Sequence, residues 1–125
     1  MTLRRLLDSL LNPRGGLAFD LEADLRPVSG DHRASAEVEF KGWRRGDYHL
    51  EVEVDRPGGT LDPNLPVSVV VDSTLVGRIT LDPRGRTRFS RTHLDGPLGF
   101  HPALGQTVAL GQNGVVKLSG RFERD

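Results

Sequence analysis

The chain contains no cysteine. Disulfides, thiolate nucleophiles and cysteine-ligated zinc are therefore excluded. Lysine is scarce too, with 2 against 15 arginines. Arginine is the better bidentate partner for carboxylates, but so general a bias reads as genome composition before function. Net charge is also lacking, because 17 Lys+Arg balance 17 Asp+Glu. A general nucleic-acid binder normally carries a basic excess, so that partner is not expected. No apolar run approaches the ~20 residues of a membrane-spanning helix, and no membrane span is expected. The glycine-rich phosphate loops and the Gly-x-Ser-x-Gly elbow of hydrolases are missing as well. Enzyme activity is accordingly not expected, and no cofactor is implied.

What is present is enough for one domain. The chain has 125 residues, 36% of them hydrophobic, with 15 glycines and 8 prolines. Such a chain can bury a real core, while its many breakers leave little room for long helices. Residues 1–13 read as a short amphipathic helix: Leu3, Leu6, Leu7, Leu10 and Leu11 fall at i, i+3, i+4, i+7 and i+8. Thr2 is its expected N-cap, and Asn12-Pro13 its stop. Arg4-Arg5 precede leucines as in a twin-arginine signal, but Asp8 and Pro13 cut the apolar run short. The expected location is the cytoplasm.

From residue 14 to 125 the period is two, and an all-β domain is expected. Leu17, Phe19, Leu21, Ala23 and Leu25 alternate with polar or small residues. Ala34, Ala36, Val38 and Phe40 do the same, and so do Tyr48, Leu50, Val52 and Val54. Pairing Phe40 with Tyr48 puts these eight on one face and sets Glu37 opposite Glu51. Further strands follow at Val67–Val71, Leu75–Leu81, Val108–Leu110 and Val116–Phe122. Register selects three-residue bulged turns ending at Gly85 and Gly114, the first setting Ile79 opposite Phe89. Strands at short spacing without crossover helices imply an antiparallel β-sandwich of about eight strands, immunoglobulin-like or jelly-roll-like. Trp43 is not framed by cysteines, so the antibody-domain signature is absent.

Two features carry the functional expectations. Between His93 and Gly105 runs a loop without periodicity, whose Leu94, Leu98, Phe100 and Leu104 are expected to cover an open end of the sandwich. It holds His93, Asp95 and His101, the candidates for a metal or ligand site, although no His-x-His spacing supports a metal. The second feature is charge segregation. Residues 17–55 carry ten acids and five bases, and residues 78–124 eight bases and three acids. Arg78, Arg84, Arg86, Arg88 and Arg91 gather in the basic half. The expected function is a non-enzymatic interaction or structural module. It would bind a protein partner or itself through complementary charged faces, with Leu3, Leu6, Leu7, Leu10, Arg78, Arg84, Arg86 and Arg88 as contact residues. The alternatives are a small metal- or ligand-binding protein using the 93–105 loop, and a weak nucleic-acid binder through the Arg78–Arg91 face.

Overall fold

Alternating apolar residues give nine strands, joined by turns rich in glycine, asparagine and aspartate. The structure, a computed structural model, describes residues 17–29, 33–56, 58 and 60–125. The predicted helix over 1–13, and with it Leu3, Leu6, Leu7 and Leu10, lies outside the described residues. The strands are β1 (Leu17–Pro27), β2 (Ser35–Trp43), β3 (Tyr48–Arg56), β4 (Val67–Val71) and β5 (Thr74–Ile79), followed by β6 (Thr87–Thr92), β7 (Thr107–Gln112), β8 (Val115–Arg121) and β9 (Glu123–Arg124). A single turn of 3-10 helix spans His93–Asp95.

All pairings are antiparallel and follow one path, β5-β4-β7-β8-β1-β2-β3-β6, with β9 added to β1. The sheet curls until it is nearly closed, and the expected all-β class holds. β1 is the strand that joins the halves. It pairs β2 from Leu17 to Leu25 and β8 through Arg26 and Pro27. Where β8 crosses it, the backbones lie so close that only glycine fits. A Cβ on Gly120 would overlap the Asp24 carbonyl oxygen and lie 2.9 Å from Leu25 Cδ2.

The seam between the edge strands β5 and β6 is bridged by side chains. Arg91 Nη1 on β6 donates to the Val76 carbonyl on β5 at 2.6 Å. The Phe89 ring covers Gly77, where an added Cβ would lie 3.0 Å from its Cζ. Inside the curl, Leu25, Val38, Leu50, Val52, Val69, Val108, Leu110 and Leu118 are wholly buried, with Phe122 only 1% exposed. Burial of this apolar surface drives the fold.

Several register expectations are corrected. Phe40 opposes Leu50 and Tyr48 opposes Gly42, two residues on from the predicted pairing. A shift of two leaves every side chain on its face, so all eight apolar residues from Ala34 to Val54 are buried as the alternation requires. Glu37 consequently opposes Glu53, and Glu39 opposes Glu51.

The turn at Pro83-Arg84-Gly85 forms as expected. Asp82 N donates to Arg86 O at 2.7 Å, and Gly85 has φ of 79°. Its strands then part: Phe89 pairs with Val52 on β3 and not with Ile79. Asn113-Gly114 is a two-residue turn, since Gln112 opposes Val115 and both turn residues have positive φ. That geometry matches the strand twist. The surplus residue is absorbed by an irregularity between Leu110 and Gly111, which restores Leu110 opposite Leu118. Leu75 and Val116, the apolar residues that open two of the expected strands, are 50% and 48% exposed, and Val76 is buried.

Candidate functional site

At one end of the curled sheet the strands run past the core and leave apolar side chains uncovered. Phe19 is 54% exposed although it continues the buried face of β1. Phe40 and Tyr48 lie beside it with ring centroids 6.1 Å apart and planes 25° from parallel. Gly42 leaves the space for these rings, because a Cβ there would meet Phe40 at 3.1 Å and Phe19 at 3.3 Å. The β2–β3 turn, closed by Trp43 N donating to Asp47 O at 2.9 Å, brings Trp43 to the rim. The loop after β6 supplies the opposite wall through Leu98 and Phe100, which are half-buried against the core.

The result is an open cleft of about 490 Å³ lined by Phe19, Phe40, Trp43, Tyr48 and Phe100. The chain has seven aromatic residues, five Phe, one Trp and one Tyr, so five of them meet here. Its volume lies in the range of small-molecule sites, roughly 300–1,000 Å³.

The far wall is anchored at several points. Tyr48 Oη donates to the Gly96 carbonyl at 2.5 Å. Arg91 Nη2 donates to the Pro97 carbonyl at 2.7 Å. Gln106 Nε2 donates to the His101 carbonyl at 3.0 Å, while Gln106 Oε1 accepts from Ala103 N at 2.8 Å. A reciprocal pair of hydrogen bonds caps the N-terminal end of the 3-10 turn. Thr92 Oγ1 accepts from Leu94 N at 3.3 Å, and Asp95 Oδ2 accepts from Thr92 N at 2.8 Å. A wall held this way is formed before anything enters, which lowers the ordering cost of binding.

The loop candidates separate. His93 and His101 both line the cleft. Asp95 is occupied as a capping carboxylate. The carboxylate beside His93 is Asp47, whose Oδ1 lies 3.7 Å from His93 Nε2. His93, Asp95 and His101 therefore do not converge on a point. Among the described residues the three groups whose ligand atoms lie within 4.8 Å of one another are Glu22, Asp24 and Glu37. They sit on the solvent side of β1 and β2, half-buried or exposed. Of the four apolar loop residues, Leu98 and Phe100 pack against the core at the open end of the curled sheet. Leu94 and Leu104 are 85% and 53% exposed.

The charged residues interleave where β6 lies against β3. Arg88 Nε is 3.3 Å from Glu51 Oε1, and its Nη2 is 3.2 Å from Glu53 Oε2. One guanidinium thus serves two acids that the β2–β3 register sets opposite Glu39 and Glu37. Glu39, Lys41 and Glu51 are buried despite their charge. Arg78 is exposed on edge strand β5, and Arg84 and Arg86 are exposed around the β5–β6 turn. Arg91 is turned to the seam and the loop. The five arginines therefore occupy four settings, with only Arg84 and Arg86 sharing one.

Sequence reasoning passed over the aromatic cleft because Phe40 and Tyr48 read as ordinary core positions. One signal was available. Trp43 stands in the polar turn Gly42-Trp43-Arg44-Arg45-Gly46, and a tryptophan there needs a partner surface. Among the described residues no helix is long and apolar enough to cross a membrane. No protein-family model matches the chain, and neither a curated protein nor a solved structure matches it.

Proposed function

We propose that the chain is a non-enzymatic binding module that holds a small apolar, ring-bearing ligand in the cleft between the β2–β3 turn and the 93–102 segment. The convergence of five of the seven aromatic residues on one open cleft carries this reading. Phe40 and Tyr48 form its buried floor, while Phe19 is 54% exposed and Trp43 and Phe100 are half-buried, a loss of apolar burial that contact with a ligand would recover. The barrel-like sheet acts as the frame. In this reading the frame is a sandwich of two layers sharing β1, with the cleft at their open end. The cytoplasm is the compartment this reading takes.

Trp43 is the sole tryptophan, so intrinsic fluorescence reports from the cleft itself. Titration with neutral aromatic molecules such as 2-naphthamide should quench or shift that emission saturably. Phe100→Ala should weaken the response at least tenfold while the thermal midpoint stays well above the assay temperature. Emission that never saturates, or the same affinity in Phe100→Ala, refutes the proposal.

A second proposal concerns protein association through charged faces and Leu3, Leu6, Leu7 and Leu10. Its support is the acidic row of Glu22, Asp24 and Glu37 on one strand pair, with exposed Arg78, Arg84 and Arg86 elsewhere on the same molecule. Complementary patches of this kind favour head-to-tail contact.

A further inference from the structure

We infer that the ligand of the cleft is an aromatic carboxylate, its ring among the aromatic side chains and its anionic end beside the β2–β3 turn. This rests on the cleft being a ligand site, and it adds the charge of what binds there. The inference comes from which charges around the cleft are already engaged. The turn and loop that form its walls carry two acids, Asp47 and Asp95. Asp95 is held in the cap of the 3-10 turn, and Asp47, which lines the cleft, lies 3.7 Å from His93 Nε2, an ion pair only when that imidazole is protonated. The turn also carries Arg44 and Arg45, both exposed. Each is one peptide unit from a residue that lines the cleft, Trp43 or Gly46. Among the described residues neither makes an ion pair or hydrogen bond.

A third guanidinium, that of Arg91, lies behind the Pro97 wall with two carbonyls as its partners and no carboxylate. His93 and His101 add ring nitrogens on the lining. The turn beside the cleft thus carries two exposed arginines against one carboxylate, Asp47, and this positive excess acts on an anion over the screening length of about 8–10 Å in ordinary buffer. The arginines also present the forked donors that match a carboxylate. The apolar lining selects the ring, and the rim selects the charge. An amine would gain Asp47 but meet both arginines, and the balance disfavours it.

Three probes of the same ring separate these terms: 2-naphthoate, 2-naphthamide and 2-naphthylmethylammonium. Each is titrated into the full chain while Trp43 emission and calorimetric heat are followed. The expected order is carboxylate, then amide, then ammonium, with the carboxylate about tenfold tighter than the amide at low salt. That advantage should shrink several-fold in 0.5 M NaCl. In Arg44→Ala/Arg45→Ala, two exposed turn positions, it should fall below twofold while the amide binds as before. If the amide and carboxylate bind alike, or the double variant keeps the preference, the charge inference fails and the cleft reading stands. If none of the three binds, both fail.

Discussion

Replacing Gly120 by alanine tests the crossing that holds the two halves of the sheet together. Ordinary Cβ contacts lie at 3.4–4 Å, whereas a Cβ here would overlap the Asp24 carbonyl oxygen and press on Leu25 at 2.9 Å. The first obstacle is backbone, so no rotamer change relieves it. β8 or β1 must move. Leu118 and Phe122, buried on either side of Gly120, would move with it. Overpacking typically costs about 1–3 kcal/mol, and a clash with backbone belongs at the upper end, ~3 kcal/mol. With an unfolding entropy of about 2.1 cal/mol/K per residue, the chain should lose roughly 11 °C in midpoint. Differential scanning calorimetry measures this directly. Ser119→Ala, one residue away and clear of the overlap, should stay within about 0.5 kcal/mol of the parent. A Gly120→Ala midpoint within ~2 °C of the parent would show that the strands do not cross this closely.

Other outcomes follow from single contacts. Arg91→Lys keeps the charge but cannot reach the Val76 and Pro97 carbonyls together, so stability should fall by about 1–2 kcal/mol. Hydrogen exchange should then speed up in β5 and near Gly96–Leu98, whereas uniform exchange would remove the seam-bridging role. Arg88→Met takes a guanidinium from Glu51, which is buried, and from Glu53. A double-mutant cycle with Glu51→Gln should give a coupling of about 1 kcal/mol that declines with salt, and a coupling near zero would contradict it. If charged faces and the leucine stripe drive association, light scattering of the full chain should show oligomers at low salt that dissociate at high salt. Leu6→Ser/Leu10→Ser should then be monomeric in both, and a salt-independent monomeric parent rejects that proposal.

Which residues face inward was legible because alternation has parity. Ala36, Val38, Leu50 and Val52 are buried as a period of two requires. Register was less legible, since sliding Phe40 from Tyr48 to Leu50 preserves every face. The Asn113-Gly114 turn shows a different limit. Parity argued against a two-residue turn, but an irregularity at Leu110/Gly111 absorbed the extra residue, and the turn residues kept their preferred geometry. The pairing of β6 with β3 joins segments some 35 residues apart and leaves no local trace. The charges that looked segregated along the chain meet through it at Arg88 and Glu53.

The cleft was hidden for the same reason. Its walls come from β1, the β2–β3 turn and the loop after β6, and only the fold brings Phe19, Trp43 and Phe100 together. His93 was singled out from the sequence, but its carboxylate neighbour proved to be the distant Asp47 and not the nearby Asp95.

The most direct test of the account is a backbone amide NMR titration of the full chain with 2-naphthoate. Saturable shifts should cluster at Phe19, Gly42–Tyr48 and Gly96–His101, with β4 and β5 unmoved. Shifts centred on another surface, or none at millimolar ligand, would contradict the claim that this aromatic cleft is the binding site.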